Sequence, residues 1–235
     1  MRYSQRNLTY ESDKLPALSG LATYFSELHK QKYYAGIFSG AVAETLLWSP
    51  TTPGGLEKPE RYVAPSWSWL RPNGSINMVA PVQPDESGDQ RAVSQLESVL
   101  EDVRFELRSE VAEAPYGKIK EGGLVRVRGL VKDVWMERVE SDDSHRAVKM
   151  RLSGDGKSMC TFYLDFFDEL DRGSVGSRVV KWNVKCLWIL KECEYVLILR
   201  AAGGETGRYE RIGIASIDPA WLDFGGFRRE HISII

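Results

Sequence analysis

Apolar residues recur at helical spacing in the first part of the chain and at alternating spacing in the rest. Leu15, Leu18, Leu21, Ala22, Phe25 and Leu28 fall on one side of a helix, and the spacing predicts that helix over 13–30 with this side packed inward. Ser12-Asp13 offers a side chain to cap its free N–H groups, and Pro16 sits in the first turn, where a missing donor costs little. Ile37, Phe38, Ala41, Val42, Thr45 and Leu46 repeat the spacing between Tyr34 and Trp48, predicting a second helix that Ser49-Pro50 ends. Gly36 and Gly40 work against that helix.

Beyond a Pro- and Gly-rich stretch at 51–60, the period changes from 3.6 to 2. Ser66-Trp67-Ser68-Trp69 reads as an extended strand with both indoles on one face, and Pro72-Asn73-Gly74-Ser75 as a hairpin turn leading into Ile76–Met78. Residues 81–95 read as a polar surface loop. Strand patterns then follow at Val103–Leu107, Gly123–Val131, Val134–Val139, Ala147–Leu152, Cys160–Leu164, Val179–Trp182, Cys186–Leu190, Tyr195–Arg200 and Arg208–Ala215. Their spacing predicts an antiparallel sandwich or barrel. Ala220-Trp221-Leu222 reads as a helical turn, and Ile232–Ile235 as an edge strand that docks the terminus. The expected fold is therefore α+β, a helical pair on a mainly antiparallel β-sandwich or barrel-like sheet. Residues 1–61 form its helical segment and 62–235 its β-rich module, in one continuous folding unit.

Charge narrows the partners. With 31 Lys+Arg against 33 Asp+Glu, no broad basic surface is present, which argues against nucleic acid. No run approaches the ~20 apolar residues of a membrane span, and the first residues lack a signal-peptide pattern. Cys160, Cys186 and Cys193 are odd in number and lack CxxC spacing, as expected of free thiols in a reducing compartment. A soluble cytoplasmic protein is expected.

Catalytic patterns are weak. There is no GxSxG elbow, and His29, His145 and His231 are scattered along the chain. Gly154–Ser158 resembles the end of a phosphate loop, but Arg151 stands where the first glycine belongs. Asp165, Asp168, Glu169 and Asp171 lack calcium-loop spacing and read as a solvated acidic turn. No metal or cofactor is expected, and no catalytic residue is assigned. Trp67 and Trp69, with Arg71 beside them, either pack in the core or line a groove for a carbohydrate or nucleotide.

Longer strings carry a family resemblance. Tyr3-Ser4-x-Arg6-x-Leu8-Thr9-Tyr10, then Ser12-Asp13-Lys14-Leu15-Pro16-Ala17-Leu18-Ser19-Gly20-Leu21-Ala22, resembles a segment found downstream of the HET domain in fungal heterokaryon-incompatibility proteins. The likeness continues through Ala35–Phe38, Leu46–Trp48 and Ala64-Pro65-Ser66-Trp67-Ser68-Trp69, and more weakly through Pro115–Gly117, Gly129-Leu130 and Tyr209-x-Arg211-Ile212-Gly213. Leu70-Arg71 departs from the Ala-Ser usual in that family after the second Trp, and the chain begins after the position of the HET domain.

The resemblance implies a role in fungal nonself recognition, with none of the HET domain's own motifs available to this chain. On physical grounds the matching residues Arg6, Asp13, Lys14, Leu15, Pro16, Ser19, Gly20, Pro65, Ser66, Trp67, Ser68, Trp69, Arg211 and Gly213 are expected to be architectural, with Arg6 and Arg211 paired to buried carboxylates or carbonyls. The expected function is a non-enzymatic accessory or recognition module of a HET-like protein. Its partner would be a protein such as another incompatibility protein, and the chain a truncated paralogue or fragment.

Overall fold

In this computed structural model the described residues are 3–6, 8–52, 55–78, 97–139, 149–153, 159–166, 181–191, 193–203, 206–217 and 226–235. The expected surface loop at 81–95, the phosphate-loop likeness at 154–158, the helical turn at 220–222 and His145 lie outside them. So do Asp168, Glu169 and Asp171 of the acidic turn.

The first predicted helix forms as α1, Lys14–His29, after a 3-10 turn at Glu11–Asp13. Its start differs from the expectation, because Asp13 stands at the cap position without a capping hydrogen bond. The Tyr3 hydroxyl donates instead to the Lys14 carbonyl at 2.9 Å, and the Lys14 ammonium donates to Pro72 O at 2.5 Å and Asn73 Oδ1 at 2.6 Å. The helix ends where Lys30 turns left-handed (φ 54°), with the Lys30 and Gln31 N–H groups folded back onto Ser26 O. The predicted apolar side is only partly buried. Leu15 and Ala22 reach the core, whereas Leu21, Phe25 and Leu28 are 56%, 40% and 57% exposed.

The second helix does not form. Tyr33–Tyr34 (β1) and Ile37–Phe38 (β2) make a hairpin across Ala35-Gly36, both at positive φ (43° and 102°). A Cβ at Gly36 would stand 2.7 Å from Trp69 Nε1, so the turn also requires a bare backbone. What remains helical is the five-residue α2, Val42–Leu46, and the chain then becomes extended at Trp48–Pro50 (β3).

Residues 66–69 are turns, not a strand. Ser68 N–H bonds to Pro65 O, Arg71 N–H to Ser68 O, and Leu70 N–H to Ser68 Oγ, a local pattern that replaces ladder pairing. The expected hairpin at 72–75 is likewise absent. Asn73–Gly74 (β5) pairs with Leu56–Glu57 (β4), and Ile76–Met78 (β6) pairs with β3.

The rest of the protein is a large antiparallel sheet. Its strands are β7 (Glu101–Glu106), β8 (Leu124–Val139), β9 (Lys149–Ser153), β10 (Met159–Leu164), β11 (Lys181–Trp188), β12 (Tyr195–Ala201), β13 (Arg208–Ser216) and β14 (Arg228–Ile234). Pairing runs β8-β9-β10-β13-β12-β11 and returns to β8, which closes a barrel. β14 is no edge strand, since it pairs antiparallel with β8 and parallel with β13.

The two strand patterns at 123–131 and 134–139 are one continuous 16-residue strand. Its apolar phase changes midway because it serves two cores. Val125, Val127 and Val131 face a core shared with α1 and the tryptophans, whereas Val134 and Met136 face a second core with Phe162, Val184, Cys186 and Ile198. The first core joins residues from Leu15 to Ile234, spanning both predicted segments.

Gly213 sits where β13 passes β10, and a Cβ there would lie 2.3 Å from the Tyr163 carbonyl oxygen. Neither backbone can yield without breaking the ladder. Gly213→Ala is expected to lower the unfolding free energy by ~1–3 kcal/mol, measured by urea denaturation, as overpacking of a tight contact does.

Candidate functional site

The resembling strings meet in one place. Arg211 on β13 is completely buried, and its guanidinium donates from Nε to Asp165 Oδ2 (2.9 Å), from Nη2 to Asp165 Oδ1 (3.0 Å) and from Nη1 to Leu46 O (2.6 Å). Nη2 also donates to Trp48 O, and the guanidinium carbon lies 3.5 Å from the centre of the Trp48 ring. Burial pulls the guanidinium's proton affinity down and Asp165 opposes it. The bidentate pair and two carbonyls accept four of its five N–H groups.

The serine-tryptophan segment wraps this arginine. Ser66 Oγ accepts the Arg211 N–H (2.9 Å) and donates to the C-terminal Ile235 O, to which Ser66 N–H also bonds (2.9 Å). Ser68 Oγ donates to Ala35 O (2.6 Å), Trp69 Nε1 to Gly36 O (2.7 Å), and Trp48 Nε1 to Trp67 O (3.1 Å). Trp67 meets the Phe105 ring edge-on at 5.3 Å.

These contacts decide the groove question. Trp67, Trp69 and Arg71 are 0%, 7% and 9% exposed, so neither indole offers a face to a carbohydrate or nucleotide. Arg71 spans Glu210 (2.6 Å) and the Phe166 ring, and Arg200 holds the other Glu210 oxygen at 3.0 Å. Burial pushes the Glu210 carboxyl up, but the two arginines outweigh it and hold it below the usual range. Two concavities of about 170 and 420 Å³ lie elsewhere. Tyr33, Tyr34, Phe105 and Tyr116 line the first, and Glu106, Arg108, Lys120 and Arg208 the second.

Other expected residues fall as follows. Lys14, Leu15, Pro65, Ser66 and Ser68 are buried, Ser19 Oγ bonds within α1 to Pro16 O, and Arg6 is exposed rather than paired in the interior. Gly20 is exposed, and a Cβ there would meet nothing within 4 Å. The sequence reading missed Asp165, placed in a solvated turn, and Trp48, placed at a helix end. Their apolar neighbours Phe166 and Leu47 were the available signal. His29 stacks on Phe25 at the exposed end of α1, and His231 lies 3.8 Å from Asp102. Among the described residues no His, Cys, Asp and Glu cluster could hold a metal ion, and no helix is long and apolar enough to cross a membrane.

One surface stands apart from this interior. Leu21, Tyr24, Phe25 and Leu28 are 56%, 59%, 40% and 57% exposed, and together with exposed Ala17 they follow one side of α1. Leu15, Ala22 and Ser26 lie on the opposite, buried side, where Ser26 Oγ stands 3.0 Å from Tyr116 Oη, and Lys14 in the first turn reaches the 72–73 turn. Comparison with protein-family models, curated proteins and solved structures gave no match to this chain.

Two outcomes test the interior. Arg211→Met and Asp165→Ala are each expected to cost ~3–5 kcal/mol, with the double variant losing less than the sum in a denaturation cycle. Burial pulls the Lys14 ammonium down to about 8, with Glu11 opposing. Between that value and 10.5 the unfolded chain binds the proton that the folded one has lost, so stability rises with pH above 8. The buried Cys193 thiol, raised above its ordinary 9.0, acts in the opposite sense from pH 9. The rise is therefore read between pH 8 and 9, and Lys14→Met is expected to abolish it.

Proposed function

We propose that this chain is a non-enzymatic recognition module of the heterokaryon-incompatibility kind, which engages a protein partner in the cytoplasm. The likeness of its strings to the region downstream of HET domains supports the family reading. Those strings supply Trp48, Ser66, Trp67, Ser68, Trp69 and Arg211, which hold the two layers together, so the likeness concerns architecture more than chemistry.

The observation that carries recognition is the apolar side of α1. A water-exposed row of Leu21, Tyr24, Phe25 and Leu28 on a helix of fixed rotation is a surface of the kind that marks protein contacts. The partner class in this reading is another incompatibility protein, met through α1 and not through the buried tryptophans.

Pull-down from fungal lysate with the wild-type chain, a Leu21→Glu/Leu28→Glu variant and Trp67→Ala tests this reading. The expected result is a partner retained by the wild type and lost at least tenfold by the helix variant, whose circular dichroism stays native. Trp67→Ala, which removes a fully buried ring, serves as the misfolded control. A partner bound equally by wild type and helix variant would overturn the assignment to α1.

A further inference from the structure

We infer that residues 3–13 form a latch that leaves the rest of the protein as one unit, while α1 and the barrel stay folded, and that its release uncovers Trp69.

The segment is held mainly by side chains. None of its described residues is buried and none lies in a strand, so it has no ladder and little apolar area to lose. At one end Ser4 Oγ accepts the Ile76 N–H (3.2 Å) and Gln5 Nε2 donates to Ser75 Oγ (3.1 Å). At the other end Glu11 accepts twice, at Oε2 from the Glu60 N–H (3.1 Å) and at Oε1 from Asn73 Nδ2. Lys118 reaches Ser12 Oγ (3.3 Å) and Asp13 (4.0 Å). Each such bond competes with water and is weak alone.

The two ends are tied to each other. The Tyr3 hydroxyl donates to Lys14 O (2.9 Å), where the latch joins α1. The Lys14 ammonium donates to Asn73 Oδ1 (2.6 Å), and the amide nitrogen of the same Asn73 bonds to Glu11. Tyr3, Lys14, Asn73 and Glu11 therefore form one connected path along the segment, and both ends close on the same short run, 73–76. Contacts that share partners in this way support one another, which is the condition for opening together.

Beneath the latch lies an aromatic ring. Tyr3 meets Trp69 edge-on at 6.2 Å, and Trp69 is 7% exposed with the latch closed. The indole Nε1–H bonds to Gly36 O (2.7 Å), which belongs to the β1–β2 turn and not to the latch. Opening takes the tyrosine away and leaves the indole where it stands, reachable from solvent.

Amide hydrogen exchange of the full chain, followed by NMR, tests the latch. The Ile76 and Glu60 amides report its two ends, because each bonds to a latch side chain. Ser4→Ala removes the acceptor at the Ile76 end and Glu11→Ala the acceptor at the Glu60 end. The expected result is that each variant speeds exchange at both amides at least threefold, and that Tyr3→Phe, which keeps the ring and loses the Lys14 bond, does the same. Exchange at Ile76 is expected to rise with urea far less steeply than at Val127 in the sheet, because opening a small unit exposes little surface. Hydroxyl-radical labelling at Trp69, located by mass spectrometry, is expected to rise at least threefold in the Ser4→Ala/Glu11→Ala variant. Acceleration confined to the amide whose own acceptor was removed overturns the single unit. A urea slope at Ile76 equal to that at Val127 overturns opening apart from the rest of the fold, and unchanged labelling at Trp69 overturns its uncovering.

Discussion

A guanidinium sealed from water must have its charge and its N–H groups answered by the protein, and the arrangement around Arg211 follows from that requirement. Asp165, at the end of β10, supplies the countercharge, and the carbonyls of Leu46 and Trp48 accept two further N–H groups. Those carbonyls belong to the segment linking α2 to β3, so satisfying one barrel side chain fixes the path of the N-terminal layer. Replacing such a pair with apolar residues is often neutral for stability, so its value lies in specifying one docking geometry. Removing only one partner is different, because an uncompensated buried charge or acceptor is left behind.

Ser66 extends the same constraint to β14 through Ile235. Its hydroxyl accepts the Arg211 N–H and donates to Ile235 O, so the residue after β14, the arginine strand and the tryptophan turns share one polar atom. β14 is thereby drawn between β8 and β13, and the barrel has no free edge there. The long β8 makes this possible by serving one core with its first half and the other core with its second.

Much of the β-rich portion was legible in the sequence, because alternation and turn spacing are local signals. Every strand pattern from Val103 to Ala215 overlaps a strand of the structure, although 123–131 and 134–139 merged once Lys132-Asp133 proved to be a change of core and not a turn, and 179–182 and 186–190 both fall on β11. The N-terminal layer was legible only in α1. Residues 34–48 carry helical spacing, but the left-handed Ala35-Gly36 turn and the close approach of Trp69 override it. The tryptophan segment carries strand spacing, but its serines bond to carbonyls distant in sequence. Such contacts leave no periodic trace. Arg211 was read as internally paired, while Asp165 was assigned to water because acidic neighbours concealed its strand-end position.

The exposed row on α1 follows from the same polar economy. Rotating the helix by roughly a quarter turn would bury more of Leu21 and Phe25, and apolar area alone would favour it. It would also pull the Lys14 ammonium from Pro72 O and Asn73 Oδ1 and the Ser26 hydroxyl from Tyr116 Oη. A buried ammonium stripped of its acceptors costs more than one or two apolar side chains regain. The helix therefore keeps its apolar row outward because Lys14 in its first turn and Ser26 on its buried side are bonded. The most distinctive strings of the sequence, the tryptophans and Arg211, are thus spent on holding the scaffold. Leu21, Phe25 and Leu28, which spacing alone assigns to the core, stand exposed beside Tyr24.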